Sequence, residues 1–154
     1  MRLLPLALLL ALALLPAARA AVTVSAAEPG RPATFLVDGK PFFVKGVTYG
    51  GPGKDGDLDR DLAAISALGA NTIRNWGCDD TETPKLLDAA QRHGLRVMLG
   101  LWLRHGRAGA EGVDNFNYAT DTAGKDRQYA DTMRHVRAYH NHPALLCWGA
   151  GNEV

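Results

Sequence analysis

Four short apolar runs alternate with three segments of helical periodicity, and this alternation restricts the chain to a parallel α/β fold. The runs begin at Lys45, Ala70, Arg96 and Leu145. The third, Arg96-Val97-Met98-Leu99-Gly100-Leu101-Trp102, is nearly continuous in apolar residues, as strands buried on both faces of a parallel sheet are. Between the runs, Leu58, Leu62, Ile65 and Leu68 form a helical stripe that Gly69 ends. A second helix is predicted over about 83–93, capped by Thr81 or Thr83 and closed by Gly94. Tyr129, Met133, Val136 and His140 stripe a third, which Pro143 prevents from continuing. Polar or aromatic residues end every strand instead of concentrating at one switch point. That distribution favours a closed barrel over an open doubly wound sheet.

The fourth run passes through Cys147-Trp148-Gly149-Ala150-Gly151 to Asn152-Glu153. A buried strand that delivers a carboxylate at its carboxyl end places it where parallel α/β proteins do their chemistry. The plain alternative, that Glu153 only begins a surface loop, fits most glutamates. The repeated strand-helix units upstream weigh against it.

Residues 1–20 are predicted to be a signal peptide. Met1-Arg2 gives a positive start, 3–15 is almost entirely Leu and Ala, and Ala18-Arg19-Ala20 fits the small-x-small cleavage rule. The mature protein is then expected to start at Ala21 and to be exported, periplasmic or extracellular, with no membrane contact once the leader is gone. Residues 21–33 read as a lead-in. Thr34-Phe35-Leu36-Val37 and Pro41-Phe42-Phe43-Val44 flank Asp38-Gly39-Lys40, a hairpin signal, and the hairpin is expected to plug one end of the barrel.

The formal charge of +1 becomes −1 when Arg2 and Arg19 leave with the leader. Such a balance argues against nucleic acid or an anionic membrane as a partner and suits a neutral substrate. Cys78 and Cys147 are too few for a disulfide scaffold and are expected to be buried free thiols. The pattern Gly51-x-Gly53-x-x-Gly56 taken alone suggests a dinucleotide. Asp57, Asp59 and Asp61 follow at once, however, and would repel a pyrophosphate at the helix start, so these glycines read as a flexible rim loop. His140 and His142 lie beside Pro143 without an evident third ligand, which indicates a helix end and not a metal site. No cofactor is expected.

The segments Phe35-Leu36-Val37-Asp38-Gly39-Lys40-Pro41, Leu68-Gly69-Ala70-Asn71-Thr72-Ile73-Arg74, His93-Gly94-Leu95-Arg96-Val97 and His142-Pro143-Ala144-Leu145 through Trp148-Gly149-x-Gly151-Asn152-Glu153 resemble the barrel domain of glycoside hydrolase family 2. Family 5 cellulases belong to the same clan. The likeness runs over 34–154. It implies a (β/α)8 TIM barrel and hydrolysis of β-linked carbohydrates, oligo- or polysaccharides, by a retaining two-carboxylate mechanism. It also implies roles. Glu153 is the general acid/base, Asn152 bonds the hydroxyl next to the reacting carbon, and Arg74 braces the carboxylates. Trp102, Trp76, His105 and Tyr118 line the sugar pocket, where aromatic faces suit the C–H surfaces of sugars. The residues themselves leave a core role for Trp102 and Trp76, and an ion-pair role for Arg74, open.

A complete barrel has eight strands, and the nucleophile in the clan is a glutamate on the seventh. This chain supplies four strands, so no residue takes that role. The expectation is a barrel truncated after its fourth strand, from a truncated gene product or an incomplete gene model. Such a chain is expected to be inactive alone and to self-associate through its open sheet edges. Three other functions fit the same sequence: a transglycosylase of the clan, a non-catalytic carbohydrate-binding half-barrel, and a barrel enzyme using Glu153 as a simple base.

Overall fold

The computed structural model describes residues 21–106 and 116–152; the predicted leader at 1–20 and the predicted acid/base Glu153 lie outside the described residues. The elements run in the order β1 (Val22–Val24), β2 (Phe35–Val37), β3 (Lys40–Pro41), β4 (Gly46–Thr48), α1 (Leu58–Ala67), β5 (Thr72–Arg74), α2 (Glu82–Arg92), β6 (Arg96–Leu101), α3 (Thr122–Tyr139) and β7 (Leu145–Ala150). Strands β4-β5-β6-β7 form one parallel sheet in chain order. The order never reverses among the described strands. Barrel winding behaves this way, whereas a doubly wound sheet must reverse at its switch point.

A separate antiparallel sheet, β1-β2-β3, precedes it. Its tight turn has Asp38 at φ 51° and Gly39 at φ 74°. Two successive left-handed residues match the twist of paired strands, and aspartate and glycine tolerate that region best. Strand β1 comes from the lead-in segment and pairs Val22 with Val37 and Val24 with Phe35, a strand the sequence reading left unassigned. The predicted run 41–44 pairs only as far as Pro41 in a named strand, and Phe43 is 82% exposed.

One core joins the sheet to its helices. Ile73, Val97 and Leu99 from the strands meet Leu62 of α1, Leu86 and Leu87 of α2, and Tyr139 of α3. The alternate residues Thr72, Arg74 and Met98 face the other way, onto a cavity of about 230 Å³ that Phe35, Val44, residues 46–48 of β4 and Leu146 and Cys147 of β7 also line. Strands β5 and β6 thus split their side chains between a packed outer face and an inner face that leads to the strand ends.

The helices differ from the sequence reading at three places. Leu68 is not part of the buried stripe: it caps α1 past the last turn and is 86% exposed. Neither Thr81 nor Thr83 caps α2 through the helix amides. The Asp79 carboxylate accepts from the backbone N–H groups of Thr81 and Glu82, both at 2.7 Å, while Thr83 Oγ1 accepts from Asp79 N at 2.9 Å. In α3 the buried residues are Gly124, His135 and Tyr139, whereas Tyr129 is 69% exposed and His140 is also exposed. Polar bonds turn that helix. The Tyr139 hydroxyl donates to Asp79 O at 2.9 Å, and Arg134 bridges Asp80 and Asp131.

Replacing Asp79 by alanine is expected to cost about 1 kcal/mol, the ordinary worth of a helix N-cap. The N–H groups of Glu82, then Thr81, hold this carboxyl below the usual carboxylate range. A depressed folded pKa gives stability that is present above the unfolded pKa, about 3.9, and lost as pH falls through the folded value. The gap between wild type and Asp79→Ala in urea unfolding should therefore shrink below about pH 4. A gap unchanged between neutral pH and pH 3 would show that Asp79 is not the cap.

Both cysteines are free and half-buried, and burial pushes the Cys78 thiol up to about 11. No group of three or more His, Cys, Asp or Glu that could hold a metal occurs among the described residues. His140 Nδ1 contacts Arg137 O at 2.9 Å, and His142 Nε2 contacts Asp88 at 3.2 Å. Among the described residues no helix is long and apolar enough to cross a membrane.

Candidate active site at the strand ends

The carboxyl ends of β5, β6 and β7 converge. Arg74, the last residue of β5, points to the inner face, and its Nη2 donates to Asn152 Oδ1 at 2.8 Å. The Arg74 guanidinium also lies 5.8 Å from the centre of the Trp76 ring, within cation–π range. Asn152 follows Gly151, whose φ of +75° is open to glycine and whose N–H donates to Leu101 O at 2.9 Å. That bond ties the end of β7 to the end of β6 and turns the chain so that Asn152 meets Arg74.

Beyond β6 the segment from Trp102 to His105 is clamped. Arg104 N donates to Gln128 Oε1 at 2.8 Å, the Tyr118 hydroxyl donates to Arg104 O at 2.6 Å, and Phe116 N donates to His105 O at 3.1 Å. His105 is 2% exposed, and its Nε2 lies 2.7 Å from the backbone carbonyl of Asn152. The rings of Trp102 and His105 are 5.2 Å apart. Trp102 and Trp76 are 40% and 38% exposed, so neither is closed into the core.

Five of the predicted site residues are thus linked through direct contacts: Arg74, Asn152, His105, Trp102 and Trp76. Tyr118 stands apart, packed edge-on against Phe116 at 4.5 Å with its hydroxyl committed to Arg104 O and Gln128. The sequence reading passed over Asn75. Its Oδ1 accepts from Gly100 N at 2.9 Å and its Nδ2 donates to Gly77 O at 2.6 Å, which shapes the loop carrying Trp76. Asparagine just past a strand, facing a glycine in the next strand, was the available signal.

The glycine-rich loop after β4 lines a second cavity of about 250 Å³, together with Tyr49, Trp76, Thr83 and Leu86. Asp57 fills the start of α1 with its own carboxylate, accepting from Arg60 N at 3.0 Å, and leaves no place there for a pyrophosphate. Burial and the neighbouring Asp61 push the Tyr49 hydroxyl up to about 12, so it stays protonated and donates to Asp61 Oδ2 at 3.0 Å.

Strand-helix units wound in one direction, with arginine, asparagine and aromatics at the strand carboxyl ends, are the arrangement of a TIM-barrel domain. The chain belongs to glycosyl hydrolases family 2, whose TIM barrel domain matches residues 31–154. Among solved structures it is similar to the exo-chitosanase CsxA of Amycolatopsis orientalis, with 17% identity and a TM-score of 0.60 over 84% of this chain and 15% of that one. The β-glucuronidase of Ruminococcus gnavus gives 18% identity and 0.60 over 84% and 21%. That of Dictyoglomus thermophilum gives 24% and 0.56 over 86% and 23%. At these identities the likeness is one of fold. The chain spans between 15% and 23% of the length of these three structures. No curated protein sequence matches the chain.

Proposed function

We propose that this chain carries the acid/base half of a retaining β-glycosidase site, with Glu153 as general acid/base and oligo- or polysaccharide as substrate. The observation that supports this reading most is the Arg74–Asn152 bond, which joins two strand ends beside the residue bonded to Glu153. Arg74 orients the Asn152 amide, leaving the Nδ2 donor for a sugar hydroxyl. Trp76 and Trp102, each well over a third exposed, offer ring faces to the apolar side of a sugar. The chemistry also needs a second carboxylate on the opposite face of the sugar, about 5–5.5 Å from the first in a retaining enzyme. Among the described residues lining the inner face there is no carboxylate. On this reading the nucleophile lies outside these residues. The 154 residues alone are expected to show no glycosidase turnover.

The coding DNA beyond Val154 tests the reading. A frame that continues through four more strand-helix units to a strand-end glutamate is the expected result. A stop codon there, with sugar binding and no hydrolysis, would favour the non-catalytic half-barrel instead.

Two further proposals concern the protein as a whole. Export follows from the leader, and mass spectrometry of secreted material should find a mature end at Ala21; an intact Met1 in secreted protein would exclude it. Self-association is proposed through β4, whose residues are all exposed and whose Val47 is 41% exposed at an unpaired edge. Light scattering should find dimers or larger species, and a monodisperse monomer would count against that edge as a contact.

A further inference from the structure

We propose that His105 is a positioning residue for the acid/base carboxylate, acting through the peptide bond between Asn152 and Glu153. At 2% exposure its imidazole is closed off from solvent. Its Nε2 is 2.7 Å from the Asn152 carbonyl oxygen. A carbonyl only accepts, so Nε2 carries the proton and donates. The oxygen it holds belongs to the same rigid planar unit as the Glu153 backbone nitrogen. Fixing that oxygen fixes the rotation of the plane about the Asn152 Cα, and with it the peptide unit to which Glu153 is bonded.

The device is built to hold. Three hydrogen bonds to the backbone clamp the residues around His105: Arg104 N donates to Gln128 Oε1, the Tyr118 hydroxyl donates to Arg104 O, and Phe116 N donates to His105 O. The imidazole therefore delivers its hydrogen bond from a fixed frame. Asn152 is gripped twice, at its side chain by Arg74 from β5 and at its carbonyl by His105 from beyond β6. Tyr118, whose hydroxyl donates to Arg104 O, is part of this frame.

The inference rests on the glycosidase reading for what is being positioned, but its test does not need turnover. In the 15N-labelled 154-residue chain, in solution or by magic-angle spinning, the His105 signals should show a protonated Nε2. A tautomer with the proton on Nδ1 alone would overturn the proposal. A hydrogen bond to a carbonyl polarises its peptide, so the amide nitrogen of Glu153 should move upfield in His105→Leu and return towards its original position in His105→Gln, which keeps an N–H donor. Signals from the core, such as Ile73 and Leu99, should stay in place in both variants. A Glu153 amide indifferent to the Leu substitution, or equally displaced in Gln and Leu, would also overturn it. In a barrel that turns over, His105→Leu should lower kcat by about 10²-fold with KM little changed; a change in KM alone would indicate a binding role. Failure of the glycosidase reading would come from assays of the unmodified protein and would leave the spectra untouched.

Discussion

In a protein carrying the complete barrel, Glu153→Gln is expected to slow hydrolysis of an unactivated β-glycoside by about 10²–10⁴-fold, the usual worth of general acid catalysis. Protonation of the leaving oxygen is what glutamine cannot supply. The loss should shrink for a nitrophenyl glycoside, because a nitrophenolate departs with little need of a proton. Hydrolysis of the glycosyl-enzyme then becomes slow, since the same carboxylate must deprotonate the attacking water. Azide needs no base and should restore that step, giving a glycosyl azide of retained configuration. Equal losses on both kinds of substrate, without azide rescue, would remove Glu153 from the acid/base role. The Arg74–Asn152 bond would then be a structural brace alone.

The largest expected effect on stability falls at Gly100. A methyl group there would run into the backbone carbonyl of Trp76 and lie 2.7 Å from Asn75 O. These are backbone atoms, and they cannot swing aside as a side chain would. Asn75 also holds Gly100 N through its Oδ1, so relief of the clash breaks the bond that shapes the loop. Gly100→Ala is therefore expected to cost about 1–3 kcal/mol, the range of an overpacked interior, and to displace Trp76. At Gly77 an added carbon would meet only Trp102 Cβ at 3.7 Å, an ordinary contact. Gly77→Ala should thus stay within about 0.5 kcal/mol of wild type. Urea midpoints for the two variants provide the comparison. Similar midpoints would mean that the segment after β5 does not approach β6 as closely as described.

What the sequence disclosed followed from side-chain periodicity. The apolar run of β6 and the stripe Leu58, Leu62, Ile65 each mark a buried face directly, and parallel strands follow from their alternation with helices. Helix α3 misled because its buried face is held by polar bonds. Tyr139 reaches Asp79 O and Arg134 reaches Asp80, partners 60 and 54 residues away that no local pattern signals. The cap of α2 was missed for a smaller reason: Asp79 stands two residues before the position where a capping threonine was sought. At the candidate site, the strand-end positions of Arg74 and Asn152 were legible because the apolar run of each strand marks where it stops. The placements of His105 and Tyr118 were not, because each bonds a backbone carbonyl, and a carbonyl is present at every residue.

The bond from Arg74 to Asn152 joins residues 78 apart in the chain. Contacts of such separation form late, after the loop between them has been closed. During synthesis β4 and β5 leave the ribosome before β7 is made. Arg74 and His105 must then wait, already placed, for a partner made later. The site is consequently the last part of this segment to mature. A pause or fault in translation between β6 and β7 would leave the Arg74 guanidinium without the Asn152 side chain it bonds.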